Sequence, residues 1–438
     1  MNKKTKTIKI LFISNYDLYG GSSIAGYNLH KSLVNKGFNS IMFVQNKLSN
    51  DNTVIQKEHK SDKWIRYLLQ GCWDFPFSFR IGIAARSLKV KFKEWYMSSL
   101  IEEYNLIKRN FYDIQKFKPD IIHFNTGGGD NFFDLRSIKT LSKTYNVIFS
   151  LHDLWVLTEQ PPNIFHKKIS RASTYKRHQI DQGKINFISH SKWVNKKISN
   201  KKGFENNSLH FIQHGIDTNR YQPMNKSNAR KKLKLKGETF ILITCAVGII
   251  SNPFKDFKTL YDAYSKVLKK SKKDLLLIII GDKHENLPQK EHADKFLFIS
   301  SYSNSDELIK YYSCADLYIH SSHIETWGLA ISEALSCGLP VIASSVGAIP
   351  EQVIGYDRGI ENDLLNKNTL NQANGFLFKK HDVNTLYDMI IWFLKNKEKA
   401  KELSKNARSF AKKNLDINSQ VPKYINYYKM LISKKNHN

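Results

Sequence analysis

The densest chemistry in the chain lies between Asp316 and Glu351, in the string ADLYIHSSHIETWGLAISEALSCGLPVIASSVGAIPE. An apolar run, Leu317–His320, leads into a loop holding Glu325 and then Gly328, and a helical stretch carrying Glu333 follows. The first amides of a helix have no intrahelical acceptors and sit at the positive end of its dipole. Such a terminus suits an anion of the phosphate type, and glycine at 328 lets that anion approach the main chain closely. Glu333, one turn beyond Leu329, can accept hydrogen bonds from two adjacent hydroxyls. Glu325, before the helix, points at a different part of the same ligand. An isolated Glu-x7-Glu pair reads more readily as a cap or surface ion pair at Glu333 beside an ordinary loop acid at Glu325. The strand, glycine and helix around this one favour a ligand.

These residues need elements that hold them, and the chain supplies the same grammar twice. Candidate strands of the first half are Ile8–Ser14, Ile41–Val44, Ile121–His123, Val147–Leu151, Phe187–Ser189 and Leu209–Ile212. Those of the second are Phe240–Val247, Leu275–Ile280, Phe296–Ile299, Leu317–His320, Val341–Ala343 and Phe376–Phe378. They are mostly continuous apolar runs, which suits parallel strands buried on both faces. Helical patterns lie between them at Ser22–Lys36, Lys258–Lys269, Ser305–Cys314, Leu329–Cys337 and Val383–Lys395. Strands alternating with helices imply an α/β fold of two doubly wound Rossmann-like domains with right-handed crossovers. The expected division is residues 1–217 and residues 236–414, one Rossmann-like domain each, joined by a polar, lysine-rich stretch. A last helix over about 415–438 is expected to pack back on the first domain. Ligands of open α/β sheets bind at the carboxyl ends of the strands, so the site belongs in a cleft that the two domains face across. Trp64 to Phe117 breaks the alternation, being rich in aromatic and basic residues. It reads as domain packing under a solvated lysine face, or as a helical insertion whose apolar face docks on a membrane or receives a lipid-linked ligand.

Composition narrows the class. A chain of 438 residues with 41% hydrophobic side chains can build two cores. The longest aliphatic run, Leu275–Ile280, is too short to span a bilayer. The amino-terminal apolar stretch is interrupted by Lys9 and followed by Asn15, Asp17 and Gly20-Gly21, which reads as a first strand and not as a secretory leader. Cys72, Cys245, Cys314 and Cys337 are scattered without a metal-binding spacing, so neither a disulfide nor a metal site is expected. The formal net charge of +29 comes mainly from dispersed lysines with no nucleic-acid motif among them. An anionic membrane surface or a plain solvated surface accounts for them, and nucleic acid is not an expected partner.

Glu325-Thr-Trp-Gly-Leu with Glu333-Ala, then Cys337-Gly-Leu-Pro-Val-Ile-Ala and Gly347-Ala-Ile-Pro-Glu351, closely resembles the family 4 glycosyltransferases, retaining enzymes of the GT-B fold. Gly20-Gly21, Pro119-Asp120-Ile-Ile-His123, Ser150-Leu-His152-Asp153-Leu-Trp155 and Gly215-Ile-Asp217 extend the resemblance over nearly the whole chain. It implies that Glu333 binds the nucleotide ribose and Glu325 contacts the donor sugar. It further implies that amides around Thr326, Trp327, Gly328 and Leu329 line the sugar and diphosphate, above the glycine loop of Gly20 and Gly21. Lys255 would neutralise the departing diphosphate, and His152 would sit over the transferred sugar. Two departures from the family pattern stand out. Ile249 follows Val247-Gly248 where an arginine is usual, with Ser251, Asn252 or main-chain amides as substitutes. The usual Glu-Gly-Phe-Gly is here Glu325-Thr-Trp-Gly.

The implied reaction moves a sugar from a UDP- or GDP-linked donor to a glycan or lipid-linked acceptor with retention, in cell-surface polysaccharide biosynthesis. No Asp-x-Asp occurs in the sequence, so transfer without a chelated metal or any cofactor is expected. Preorganised amides and Lys255 would carry the leaving-group charge. The expected location is cytoplasmic, peripheral to the inner face of the plasma membrane. Two other readings stay open: a nucleotide-sugar 2-epimerase of the same fold, and a non-catalytic binder of anionic ligands.

Overall fold

A computed structural model describes residues 7–57, 112–125, 135–154, 180, 182–199, 201, 204, 207–283, 292–300, 305–356 and 372–436. Most of the Trp64–Phe117 segment, together with Cys72 and Trp155, lies outside them. The chain divides into two units, the first of residues 1–188, 201–210 and 426–438, the second of 189–200 and 211–425. Residues 189–200 therefore group with the second unit, and the last helix, Ile417–Asn436, is shared between the two.

The first unit is built on β1 (Lys9–Tyr16), β2 (Asn39–Asn46), β3 (Val54–Gln56), β4 (Ile121–Phe124), β5 (Asn146–Leu151), β6 (Ile185–Ser189) and β7 (Ser208–Phe211). Their order is β3-β2-β1-β4-β5-β6-β7, and β1 pairs in parallel with both β2 and β4. Parallel pairing on both sides explains why Ile10, Leu11 and Phe12 form an unbroken apolar run, since neither face of the strand meets water. Polar groups in this core are paired. His123 reaches the Tyr428 hydroxyl at 2.7 Å and the Ser150 hydroxyl at 2.7 Å.

The second unit repeats the plan with β8 (Phe240–Cys245), β9 (Leu275–Ile280), β10 (Phe296–Ile299), β11 (Leu317–His320), β12 (Val341–Ser344), β13 (Gly355–Tyr356) and β14 (Gly375–Phe378). The order is β10-β9-β8-β11-β12-β14-β13, parallel throughout. Ile241, Leu242, Ile243, Leu277, Ile278 and Ile279 are fully buried at its centre. Burying each such side chain contributes about 1.5–3 kcal/mol. Three tyrosines, Tyr264, Tyr312 and Tyr318, are buried with their hydroxyls hydrogen-bonded. Helices begin on side-chain caps: Asn225 accepts from the Asn228 amide, Asp256 from Thr259 and Asp382 from Thr385. Asp316, just before β11, accepts from Arg230, Lys226 and the Ile241 amide, fastening the Lys226–Lys232 helix to the amino-terminal ends of the central strands β8 and β11.

Candidate active site

Lys255 and Glu325 are seventy residues apart, and main-chain pairing brings them together. Lys255 forms an isolated antiparallel bridge with Ser322, flanked by Asp256 N–H donating to Ser321 O at 3.1 Å and His323 N–H donating to Phe254 O at 2.9 Å. The loop after β8 is thereby laced to the loop after β11. Lys255 Nζ then donates to Glu325 Oε2 at 2.5 Å, with both side chains largely buried. His320 Nε2 lies 3.1 Å from the same oxygen, which as a carboxylate can only accept. Its Nδ1 is 3.1 Å from the Tyr318 hydroxyl, so both ring nitrogens are engaged. Burial raises the Glu325 carboxyl, but Lys255 and His320 outweigh it and hold the group well below the carboxylate range. Burial first, then Lys255, lowers the His320 pKa, so the imidazole is neutral and donates as a dipole.

The Glu325 backbone is clamped as well. Its carbonyl accepts from Ala348 N–H at 2.9 Å, and Gly347, at φ +57°, packs against it. A Cβ at 347 would lie 1.9 Å from that oxygen, so only glycine fits.

Gly328 caps the Leu329–Ser336 helix, and here the structure modifies the sequence-based expectation. The Gly328 amide is not bare. It donates to Gln352 Oε1 at 3.0 Å, and Gln352 Nε2 returns a bond to Gly328 O at 2.8 Å and another to the Ser332 hydroxyl at 2.8 Å. Gln352 thus locks the Gly328 peptide, and the open helix donors begin one residue later, at Leu329, where no side-chain cap intervenes. The Trp327 indole is buried, and its Nε1–H finds no acceptor among the described residues.

Glu333 sits inside that helix with Oε2 accepting from the Tyr312 hydroxyl at 2.8 Å. Burial raises its pKa from 4.5 to about 7, partly offset by hydrogen bonds from Tyr312 and Tyr221. Two carboxylates eight residues apart therefore have opposite states: Glu325 is a fixed anion, and Glu333 titrates near neutrality.

In the first unit, Gly20 adopts φ +79° and opens the Gly21–Asn35 helix. Asn125, at the end of β4, donates from Nδ2 to Ser22 O at 2.6 Å and pairs through Oδ1 with His152 Nε2 at 2.8 Å. One side chain thus ties the glycine loop to His152. Gly26 allows it, since a Cβ there would lie 2.2 Å from the Asn125 amide carbon.

All ten residues singled out in the sequence are placed. Lys255, Glu325, Thr326, Trp327, Gly328, Leu329 and Glu333 share the second unit, and Gly20, Gly21 and His152 the first. Sequence reasoning missed His320, Tyr312, Gln352 and Asn125. Strand ends carry His320 and Asn125, a readable signal, whereas Tyr312 and Gln352 look like ordinary core and loop residues until folded. Asn252, a suggested substitute for the missing arginine, is spent inside its own loop, where Oδ1 accepts from Phe254 N–H at 3.0 Å. Glu351 is structural: its carboxylate accepts from the amides of Lys192 and Trp193, both at 2.8 Å, at the start of the Lys192–Ser199 helix.

Comparison with known proteins bears on the chain's family and fold. Residues 225–410 match the family model described as glycosyl transferases group 1. The sulfoquinovosyl transferase SQD2 of Arabidopsis thaliana is 25% identical over 306 residues, 69% of this chain, and the chain spans 55% of that enzyme's length. The N-acetyl-alpha-D-glucosaminyl L-malate synthase of Bacillus anthracis is 23% identical over 81% of this chain and 89% of its own. Among solved structures, sucrose-phosphate synthase from Thermosynechococcus elongatus superposes with a TM-score of 0.68 at 16% identity, covering 98% of this chain and 100% of that one. Anabaena Alr3699/HepE in complex with UDP and glucose gives 0.65 at 16% identity, over 96% and 99% of the two chains. The fold is GT-B, two parallel-sheet Rossmann-like units, and residues 225–410 of the second unit match the glycosyl transferases group 1 model.

Proposed function

We propose that this chain is a retaining glycosyltransferase that moves a sugar from a UDP- or GDP-linked donor to a glycan or lipid-linked acceptor in cell-surface polysaccharide biosynthesis. The observation that carries the reading is the Lys255–Glu325–His320 cluster beside the Leu329–Ser336 helix, with Glu333 buried one turn along. Breaking the sugar–diphosphate bond puts negative charge on the leaving group. Lys255 Nζ and the helix amides from Leu329 onward meet that charge with no metal or cofactor required, a fixed electrostatic environment of the kind that supplies much of a barrier reduction. An incoming diphosphate competes with Glu325 for Lys255, releasing the Glu325 carboxylate to accept from a hydroxyl of the donor sugar. Glu333 holds the ribose. His152, oriented by Asn125, attends the transferred sugar. The names of the relatives agree with sugar transfer, and one structural neighbour is described with UDP and glucose bound.

Incubation with a panel of labelled nucleotide sugars tests the reading, with thermal shift to find the donor and proton NMR to follow the anomeric centre. A donor that stabilises the chain and yields a product of unchanged anomeric configuration supports it. Ring epimerisation without acceptor points to a 2-epimerase, and binding that ignores the ribose points to a non-catalytic anion binder. Glu333→Ala is expected to weaken donor binding, whereas Glu325→Ala and His152→Ala lower turnover. Unchanged donor affinity in the Glu333 variant removes the ribose assignment.

A further inference from the structure

Three side chains with no part in the chemistry above converge elsewhere in the second unit. One ligand atom from each of Asp256, His323 and His381 lies within 4.8 Å of the other two. Asp256 Oδ2 is 3.1 Å from His381 Nδ1 and 4.0 Å from His323 Nδ1. The two imidazoles stand 4.8 Å apart between centroids. The residues come from three places: Asp256 closes the loop after β8, His323 follows β11, and His381 lies in the turn between β14 and the Val383–Lys395 helix.

Several features suit this cluster to an ion. Asp256 is buried and already oriented, because its two oxygens accept from the Thr259 amide at 3.2 Å and the Thr259 hydroxyl at 2.7 Å. Oδ2 keeps a further lone pair for the histidine side. His323 is 24% and His381 59% exposed, so the cluster runs from a fixed buried ligand to an open face where water can enter. His381 adopts φ +67°, a left-handed conformation uncommon outside glycine, asparagine, aspartate and histidine. Here it turns the imidazole toward Asp256.

We propose that Asp256, His323 and His381 bind one divalent first-row transition ion, zinc being the natural probe, with water completing its coordination. Two imidazoles and a single carboxylate suit zinc and its neighbours, not calcium or magnesium, which take sets of oxygens. Bond lengths of about 2.0–2.1 Å in a tetrahedral site space ligand atoms by roughly 3.3 Å. The Asp256–His381 pair is already close to that separation, and rotation of the two histidine side chains would supply the remaining contraction of up to about 1.5 Å. The ion would join the three loops that follow the carboxyl ends of β8, β11 and β14. Asp256 directly follows Lys255, so occupation would also steady the loop that presents that lysine. That consequence rests on the role given to Lys255 above, whereas ion binding itself does not.

The test uses the full chain without a histidine tag, stripped by chelator, with no nucleotide present. Competition against a chromophoric chelator measures Zn2+ affinity and stoichiometry, and Co2+ reports its ligand field by visible absorption. One equivalent per chain is expected, with a higher Tm. Affinity should fall about tenfold or more in His323→Ala and in His381→Asn, the latter keeping a residue that tolerates the left-handed turn. Circular dichroism of the metal-free variants confirms folding. Zn2+ uptake that is absent in the wild-type chain, or undiminished in both folded variants, overturns the site whatever the outcome for sugar transfer.

Discussion

At the scale of single residues, the two glutamates show how placement divides one chemistry into two. Glu325 is buried beside a lysine and stays ionised, whereas Glu333 is buried against tyrosines and is pushed to about 7. Between 4.5 and about 7 the folded chain holds a proton on Glu333 that the unfolded chain has released. Stability contributed by this group is therefore full below 4.5 and falls as pH rises through that window. Glu333→Gln, which still accepts from Tyr312, should flatten the dependence and stabilise the free chain at pH 8 by up to about 3 kcal/mol. Urea unfolding at pH 5 and pH 8 measures it, and equal effects of the substitution at both would refute the buried-acid account. Trp327 offers a second test. Its Nε1–H, unpartnered among the described residues, costs the folded state about 1–3 kcal/mol unless a ligand oxygen takes it. Trp327→Phe should leave Tm unchanged or higher while raising KM for one substrate several-fold. A lower Tm with both KM values unchanged would make the indole a packing residue only.

At the scale of elements, the candidate site is set by backbone clamps more than by its own side chains. The Lys255–Ser322 bridge, the Gly347 contact and the Gln352 lock each fix a loop that regular structure leaves open. Gly347→Ala forces its Cβ into the Glu325 carbonyl from a left-handed backbone, and the loop must give. The predicted cost is about 2–4 kcal/mol in unfolding free energy and at least a hundredfold in turnover, beyond what the same change does at exposed Gly237. Near-normal turnover in Gly347→Ala, read by initial-rate kinetics, would show that the clamp does not position Glu325. These clamps also explain how far the sequence could be read. The strands of both sheets and the Ser305–Cys314 and Val383–Lys395 helices were legible because continuous apolar runs and helical spacing mark buried parallel elements. β3 escaped because it is three residues long with only Val54 buried, and β13 because it spans two residues at a sheet edge. Glu325, Gly328 and Glu333 stood in one local string and could be found. Tyr312, Gln352 and the trio Asp256, His323 and His381 are brought together only by crossovers, which leave no local spacing to read.

At the scale of the whole molecule, the excess of positive charge is the feature that neither core nor site requires. Ion pairs recorded within the second unit, such as Lys226–Asp316 and Lys295–Asp274, involve partly exposed groups and contribute little each. A formal charge of +29 is instead felt as a field that repels the chain from itself and draws in anions. Those two effects respond to salt in opposite directions, which makes the field measurable. Raising NaCl from about 20 mM to about 300 mM shortens the screening length from roughly 20 Å to about 6 Å. Relief of self-repulsion should then lift the Tm by a few degrees, while any attraction to anionic surfaces collapses. Cosedimentation with vesicles containing anionic lipid should accordingly be strong at low salt and lost at high salt, and neutral vesicles should bind at neither. A Tm that does not rise with salt, together with vesicle binding that persists at high salt, would mean that specific contacts govern the surface. The lysines would then have to be re-examined one patch at a time, because a uniform field cannot produce salt-resistant attachment.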